Sequence, residues 1–386
     1  MSSKTRRLAT MLAGMLLLTL LVGSAANPAG AAGPPIGTTA LEFRPADYPQ
    51  CAFNGSNRSI RFMVDRIVAN SPDRFDADGD PDDEDAPLYR QPTEAERDDF
   101  RAGLHALIQD DPDTATQRLA EAGYAACGGD IDSPFFRQTV LVYHPAGLSP
   151  TGTEGAPALV LIPGQVGTAT VLSGPHLRFE QGVKDQILAA LANPSHFTRG
   201  AVLSGTHRCN RLPEAPAEYQ GSTSVCRGSY RISDMAHNVD TIFQEMHDVL
   251  RDEYPDGFHV QLHGMSAAGF SISRGENPAD GSAVHPHDGI TRAHSHAEVE
   301  LKGRLAAGGL TGQETTEYIN LTSCTPFVHS VSGVPAPVRK LHCGTRNAQL
   351  DRERGSGDPD RFIHLEQSPY IRSVYPDYIR AMMSGL

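Results

Sequence analysis

From residue 137 onward, short runs rich in β-branched residues alternate with segments of helical periodicity. This alternation is typical of α/β domains, because the connections between parallel strands are usually helices. We therefore predict an α/β fold with a mixed, mostly parallel central sheet flanked by helices. The predicted strands are 139–143, 158–162, 201–204, 259–262, 338–341 and 362–365, and the predicted helices are 183–191, 239–250 and 369–383.

The preceding region, residues 33–136, is predicted to be helical and loop-rich. We expect it to pack as an N-terminal extension against the α/β domain, which is predicted to occupy residues 137–386. Its predicted helices are 60–68, 94–108 and 115–122.

Alternating aspartates occupy segment 76–85, between two of these helices. Such carboxylates can bind Ca²⁺ in an EF-hand loop, but that loop needs glycine at its sixth position and glutamate at its twelfth. In a loop that starts at Asp76, these positions hold Pro81 and Pro87. The prediction is a solvated acidic loop, with calcium binding as the alternative.

Residues 1–32 have the pattern of a secretory signal peptide. Three basic residues precede an apolar run at 8–22, and the small residues at 29–31 offer a cleavage site. The run is shorter than the ~20 residues that a membrane-spanning helix needs. We predict a secreted protein, extracellular or periplasmic, with no membrane association in the mature form. The pair Arg6-Arg7 leaves both Sec and twin-arginine export open.

The formal net charge of the 386-residue chain is −13. An acidic surface repels polyanions over distances up to the Debye length. Nucleic acid is therefore not an expected partner, and an acidic polymer would need a local basic pocket. The expected partner is a small-molecule or polymeric substrate.

Six cysteines in an exported chain predict disulfide bonds, because the compartments outside the cytoplasm are oxidising. The alternative is that some of the six are free, buried thiols. Pairing by proximity along the chain predicts Cys209–Cys226 and Cys324–Cys343, and leaves Cys51–Cys127.

Two candidate metal ligands, His176 and Glu180, stand four residues apart between the apolar run 159–162 and the helical pattern 183–191. Imidazole nitrogen and carboxylate oxygen both bind Zn²⁺. A strand-to-helix turn also lies at the edge of an α/β sheet where ligands usually bind. The alternative is a turn with an exposed histidine and a glutamate that caps the helix.

A third ligand is predicted at His263, which ends the strand pattern 259–263. A histidine at the carboxyl end of a strand points to the same edge of the sheet. Two histidines and a glutamate leave the fourth position of a zinc ion open for water, as in catalytic zinc sites. The alternative is a core histidine bonded to a backbone carbonyl.

Glu366 follows the last predicted strand and is the candidate general base. A carboxylate at this edge can take a proton from an activated water molecule. The alternative is that its negative charge stabilises the N-terminus of the helix that follows.

Polar residues after another strand and at the start of a helix are candidates for substrate binding. Arg208, Asn210 and Arg211 follow a predicted strand, and arginine binds carboxylates in a bidentate manner. Asp234 and Asn238 stand where the next long helix opens, so each can contact substrate or cap that helix.

Two further motifs suggest other functions. The run from Gly264 to Ala268 follows a strand and is similar to the nucleophile elbow of α/β-hydrolases, which makes a serine esterase using Ser266 the rival enzyme.

A later histidine-rich loop could bind a second metal ion, although an exposed loop with incidental histidines is the preferred interpretation. Those histidines are His285, His287, His294 and His296.

Taken together, His176 and Glu180 in one turn, His263 after a strand and Glu366 after a late strand resemble the zinc carboxypeptidase-like amidohydrolases. This group includes bacterial poly-γ-glutamate hydrolases and N-formylglutamate amidohydrolases. The resemblance covers about residues 137–372 and implies that the first three residues bind one zinc ion while Glu366 acts as the base.

The same resemblance implies that a substrate carboxylate is bound by Arg208, or by Asn210 with Arg211. The function hypothesis is an exported zinc-dependent hydrolase of amide bonds in a peptide-like or N-acyl amino-acid substrate. A serine esterase using Ser266 is the first alternative. A non-catalytic secreted protein that binds a metal or a glycan is the second.

Overall fold

A computed structural model of the chain describes residues 43–73, 89–131, 138–149, 155–163, 170–192, 198–210, 222–223, 225–226, 228–266, 270–273, 321–322, 347–349 and 361–374. These residues belong to one of the two units of the chain, Thr39–Leu386. Several predictions lie outside the described residues: the signal peptide, the acidic segment 76–85, the strand 338–341, the Cys324–Cys343 pair and the histidines within 285–296.

The described residues contain one large sheet and two small hairpins. The strands are β1 (Ala52–Phe53), β2 (Ser56–Asn57), β3 (Ala125–Asp130), β4 (Gln138–Tyr143), β5 (Ala158–Leu161), β6 (Thr170–Gly174), β7 (Thr198–Leu203), β8 (Ser222–Thr223), β9 (Gly228–Ser229), β10 (Phe258–Gly264), β11 (Phe270–Ser273), β12 (Leu321–Thr322) and β13 (Phe362–Gln367). Nine of them form the sheet, in the order β12-β11-β13-β10-β6-β7-β5-β4-β3.

The central strands β13, β10, β6 and β7 run parallel to one another. Antiparallel pairing joins β11 to β13 on one side, and β5, β4 and β3 in succession to β7 on the other. The predicted mixed α/β sheet is therefore confirmed, with its parallel pairing concentrated at the centre. Because β3 lies within the region 33–136, that region contributes an edge strand as well as helices.

Helices cover the sheet on both faces. They are α1 (Ile60–Asn70), α2 (Glu94–Ile108), α3 (Pro112–Glu121), α4 (Val183–Leu191), α5 (Ile242–Glu253) and α6 (Pro369–Val374). In the described part of the chain, none of them is long and apolar enough to cross a membrane. Helix α5 begins three residues later than predicted, because Thr241 caps it by accepting a hydrogen bond from Gln244 N at 3.0 Å.

The two faces of the sheet differ where β10 and β13 run side by side. One face is mostly apolar and packs against α1 and α4. The opposite face is apolar on β4 to β7, where it packs against α2 and α5. Alternate residues of a strand share a face, so β10 and β13 present to this second side a buried polar set: His259, Gln261, His263, His364 and Glu366.

The strand that precedes His176 is β6, which the sequence analysis missed. We expected the turn to follow the run 159–162 directly, but that run forms β5, and β6 intervenes. Only Val171 and Leu172 in β6 are strongly apolar, so its pattern is too short to predict a strand. Its pairing with β7 and β10 places it in the middle of the sheet.

Two of the predicted disulfides are confirmed. Cys51–Cys127 ties the segment before α1 to β3, and Cys209–Cys226 closes the loop that follows β7. No cysteine among the described residues is free. The second bond lies next to Arg208 and restrains the loop that carries it.

His247 and His259 are buried between α5 and the sheet, with their ring centroids 5.7 Å apart. Burial lowers the pKa of His259 to about 3, and it holds the pKa of His247 well below its ordinary value. In the unfolded chain both rings titrate near pH ~6.5. Below that pH the unfolded state binds more protons than the folded state, so stability present at neutral pH is lost as the solution is acidified.

We predict that these two rings make the free energy of unfolding fall on acidification from pH 7 to pH 5. Below pH ~6.5 each ring contributes a loss of up to about 1.4 kcal/mol per pH unit. His247→Leu should reduce the loss, because it removes one of the rings. Urea denaturation at both pH values measures this, with the non-titrating change Met246→Leu as control. An equal pH dependence in the two variants would contradict the prediction.

Candidate metal centre

The three predicted metal ligands meet at the carboxyl ends of two adjacent strands. His176 lies two residues beyond β6, Glu180 follows in the same turn, and His263 is the penultimate residue of β10. These strands pair in parallel, so their carboxyl ends lie side by side. Gly182, with φ of 90°, supplies the left-handed backbone from which α4 begins. All three ligand side chains are buried.

The inner atoms of these side chains face one another. His176 Nδ1 lies 2.9 Å from Glu180 Oε1, and His263 Nδ1 lies 3.2 Å from His176 Nδ1 and 3.6 Å from Glu180 Oε1. The outer nitrogens bond to other groups: His176 Nε2 to Asp234 Oδ1 at 2.8 Å, and His263 Nε2 to Gln261 Oε1 at 2.7 Å. Because both outer partners are acceptors, the outer nitrogens carry protons.

A zinc ion fits this arrangement. Three acceptor atoms so close together repel one another unless a proton or a cation lies among them. Zinc–ligand bonds of about 2.0–2.1 Å in a tetrahedron separate the ligand atoms by about 3.3 Å, within the observed range of 2.9–3.6 Å. Glu180 Oε2 is buried and has no hydrogen-bond partner among the described residues, which is costly without a positive charge beside it.

Burial and neighbouring charges shift the pKa of each of these three groups. Burial and Arg208 oppose protonation of His176, but the carboxylates of Asp234 and Glu180 outweigh them and raise the pKa of His176. Burial also opposes ionisation of Glu180, yet His176 and His263 hold the pKa of this carboxyl below its ordinary range. Burial lowers the pKa of His263. Because a metal-binding imidazole must be neutral, the raised pKa of His176 makes metal binding dependent on pH.

Asp234 binds the outer nitrogen of His176. It is fully buried, and Arg208 binds its other carboxylate oxygen through Nε at 3.0 Å and Nη2 at 2.9 Å. Burial opposes ionisation of Asp234, but Arg208 and His176 outweigh it and hold the pKa of this carboxyl below its ordinary value. An ionised carboxylate at this position fixes the tautomer and the orientation of a metal-binding imidazole.

Arg208, a predicted substrate-binding residue, lies at the rim of the centre. Its Nη1 is 3.5 Å from His176 Nδ1 and 4.0 Å from Glu180 Oε1. The side chain is 12% exposed, and its guanidinium is held by Asp234. The guanidinium carbon also lies 5.9 Å from the ring centroid of Tyr230, which stacks on His237.

Glu366 lies beside the three ligands. In the parallel pair β10–β13 it stands opposite His263, and its carboxylate lies within 4.8 Å of ligand nitrogens of His263 and His364. Burial, together with the negative charge of Glu180, raises the pKa of Glu366 to about 8. Its Oε2 is buried without a hydrogen-bond partner among the described residues. The position and the raised pKa suit a group that exchanges protons near neutral pH.

Arg372 on α6 connects the segments that carry these residues. Its Nε donates to Gln181 O at 2.8 Å and its Nη1 donates to Gln367 O, so it bonds to the residue after each of two site glutamates. The guanidinium also lies against Gly264, where a Cβ atom would collide with it. This buried cation therefore links the ligand turn to the ends of β10 and β13.

The other predicted substrate-binding residues have different surroundings. Asn210 donates to Asp73 O at 2.8 Å and accepts from Tyr89 N at 2.7 Å. Asn238 bonds two backbone groups of the segment before α5 at 2.7 and 3.0 Å. Both amides thus hold loops, and their part in substrate binding stays a prediction. Arg211 lies outside the described residues.

Sequence reasoning missed three residues around the ligands. Gln261 and His364 were not singled out, although each stands two positions before a predicted site residue and so shares its face of the strand. Asp234 was considered only as a cap or a substrate contact. It is 58 residues from His176 along the chain, and no spacing rule predicts their hydrogen bond.

No known family model matches the chain, and no curated protein matches it significantly. Solved structures are similar at low identity. An aspartoacylase family protein from Mesorhizobium loti aligns over 68% of this chain and 67% of its own, with 11% identity and a TM-score of 0.31. Metallo-carboxypeptidases from Pseudomonas aeruginosa and Burkholderia cenocepacia each align over 70% of this chain and over 67% and 65% of their own, with 12% and 8% identity and TM-scores of 0.30 and 0.32.

Proposed function

We propose that this chain is an exported zinc-dependent hydrolase of amide bonds in a peptide-like or N-acyl amino-acid substrate. The observation that carries the proposal is the meeting of His176 Nδ1, His263 Nδ1 and Glu180 Oε1 within 3.6 Å, with protons held on the outer nitrogens. Export is supported by the signal-peptide pattern and by two disulfides, which persist in oxidising compartments.

Zinc held by these three residues would polarise a substrate carbonyl and make a bound water more acidic. Glu366 is placed to take a proton from the attacking water and to pass it to the nitrogen of the leaving amine. Its pKa of about 8 lies close to neutral, and a neighbouring cation lowers the pKa of a carboxyl. The carboxylate form that accepts the proton is therefore accessible.

Arg208 is the proposed substrate-binding residue. Its Nε and Nη2 are fixed on Asp234, while Nη1 points to the ligand side. A guanidinium oriented in this way can donate to a substrate carboxylate or to the oxygen that becomes negative during hydrolysis. A negatively charged amino-acid product or side chain would suit this cation.

A serine esterase and a non-catalytic binding protein remain the competing proposals. Ser266 is exposed just after β10, which is compatible with a nucleophile. An esterase mechanism, however, gives no reason for the converging acceptor atoms of the metal centre. A binding protein gives no reason for a buried carboxyl with a raised pKa next to the ligands.

The first test concerns the metal. We predict about one tightly bound zinc ion per chain, and loss of the metal from a folded His263→Ala variant, because two protein ligands hold zinc poorly. Metal analysis and circular dichroism measure these outcomes.

Chelation should abolish hydrolysis of a panel of N-acyl amino acids and short peptides, while the hydrolytic activity of Ser266→Ala should stay within a small factor of that of the parent. Full activity without metal, or labelling of Ser266 by a fluorophosphonate, would favour the esterase.

The second test concerns Glu366. Glu366→Gln should keep zinc content and folding while kcat falls by ~10²-fold or more, because the amide cannot accept the proton. Glu245→Gln is the matched control, since Glu245 is a buried carboxylate that pairs with Arg101 on another helix. That control should lose stability and keep its turnover. Near-normal turnover in Glu366→Gln would remove Glu366 from the mechanism.

A further inference from the structure

A chain of buried amides runs from His263 to the surface. His263 Nε2 bonds Gln261 Oε1 at 2.7 Å, and Gln261 Nε2 bonds Gln349 Oε1 at 3.0 Å. Gln349 Nε2 bonds Gln244 Oε1 at 3.0 Å, and Gln244 Nε2 bonds Asp248 Oδ1 at 3.0 Å. The three glutamines are at most 2% exposed. This series of hydrogen bonds ends at Asp248, whose Oδ1 lies 3.0 Å from Arg251 Nη1.

Backbone groups determine which way each amide points. Gln349 Nε2 also lies 2.9 Å from Met235 O, and a backbone carbonyl can only accept, so this atom is the NH₂ group. Its Oε1 must then accept from Gln261 Nε2, which turns Gln261 Oε1 toward His263. His263 therefore donates from Nε2, and its lone pair is at Nδ1, the atom that faces the other ligands.

A second group gives the same orientation independently. Asn347 Oδ1 accepts from the backbone N of Gln349 at 3.1 Å, so its Nδ2 is the donor. Nδ2 donates to Gln261 Oε1, which confirms that this oxygen is an acceptor. Two fixed backbone groups thus lead to one tautomer of His263.

We propose that Gln261, Gln349 and Gln244 are positioning residues that hold His263 in its metal-binding tautomer. The inference rests on the proposed metal site. Every N–H in this series of amide hydrogen bonds points away from His263 and toward the Asp248 carboxylate. Hydrogen bonds aligned in this way polarise one another. Each bond therefore strengthens the acceptor that His263 meets at Gln261 Oε1. A ligand histidine whose outer N–H is well bonded is both oriented and more basic toward the metal.

The distal residues make this inference testable, because Gln349 and Gln244 do not contact the ligands through any hydrogen bond in the described part of the chain. Without Gln349 the Gln261 amide loses one of the two groups that fix it. When Asn347 is replaced as well, the amide can rotate and offer its NH₂ group to His263, which favours the wrong tautomer. A role in packing alone would predict lost stability with unchanged zinc affinity.

The experiment measures the zinc dissociation constant by competition with a chromogenic chelator, using the purified full chain. Gln261→Met should weaken zinc binding by ~10- to 100-fold, the range typical of partners behind a ligand. Gln349→Met should weaken it by roughly 3- to 10-fold, as a partial loss of that effect. Gln186→Met is the matched control: Gln186 is a buried glutamine bonded to Gln367 at 2.7 Å and lies outside the chain of amides.

A second readout is nitrogen NMR of labelled histidine in the zinc-free protein, which distinguishes a proton on Nε2 from one on Nδ1. We expect His263 to be protonated on Nε2 in the parent and in Gln349→Met, where Asn347 still fixes Gln261, and to populate both tautomers when Gln349→Met is combined with Asn347→Leu. Gln261→Met, which removes the acceptor of the His263 Nε2 proton itself, replaces the double variant in this readout if that variant does not fold. Unchanged zinc affinity in Gln349→Met, together with an unchanged tautomer in the double variant, would overturn the inference. A parent protein that binds no zinc would instead refute the proposed function.

Discussion

Three acceptor atoms that face one point are the constraint on which the structure of this centre depends. Two imidazole nitrogens and a carboxylate oxygen lie within 3.6 Å of one another, with little water to screen them. Surrounding residues stabilise these atoms. Asp234 and Gln261 accept hydrogen bonds from the outer nitrogens, and Arg208 supplies positive charge at the rim. His176, Glu180 and His263 are close enough together that they could hold a metal ion.

The need to stabilise these three acceptor atoms explains why one part of an otherwise apolar sheet is polar. Over β4 to β7 both faces of the sheet pack against hydrophobic helix residues. On β10 and β13 one face changes to histidine, glutamine and glutamate, although it is as deeply buried. Buried polar groups are tolerated when they are hydrogen-bonded. The amides that run from Gln261 to Asp248 meet this condition between the sheet and α5.

Residue patterns predicted much of this architecture. The alternation after residue 137 predicted the mixed sheet, and strand ends correctly suggested that His176, Glu180 and His263 would lie together. The misses have physical causes. Strand β6 is short, with few apolar residues, and α5 starts late because Thr241 rather than the preceding residues caps it. Contacts made over long distances in sequence, such as Asp234 with His176, depend on the complete fold and leave no local pattern.

Gly264 illustrates how a familiar motif can arise from a different cause. In the sequence it opens a run similar to the nucleophile elbow, where glycine permits a sharp turn around a serine. In the structure, the Arg372 guanidinium occupies the space that a side chain at Gly264 would need. The missing side chain at Gly264 thus leaves room for Arg372 of α6, and a side chain at this position would displace the cation that joins the ligand turn to two strand ends.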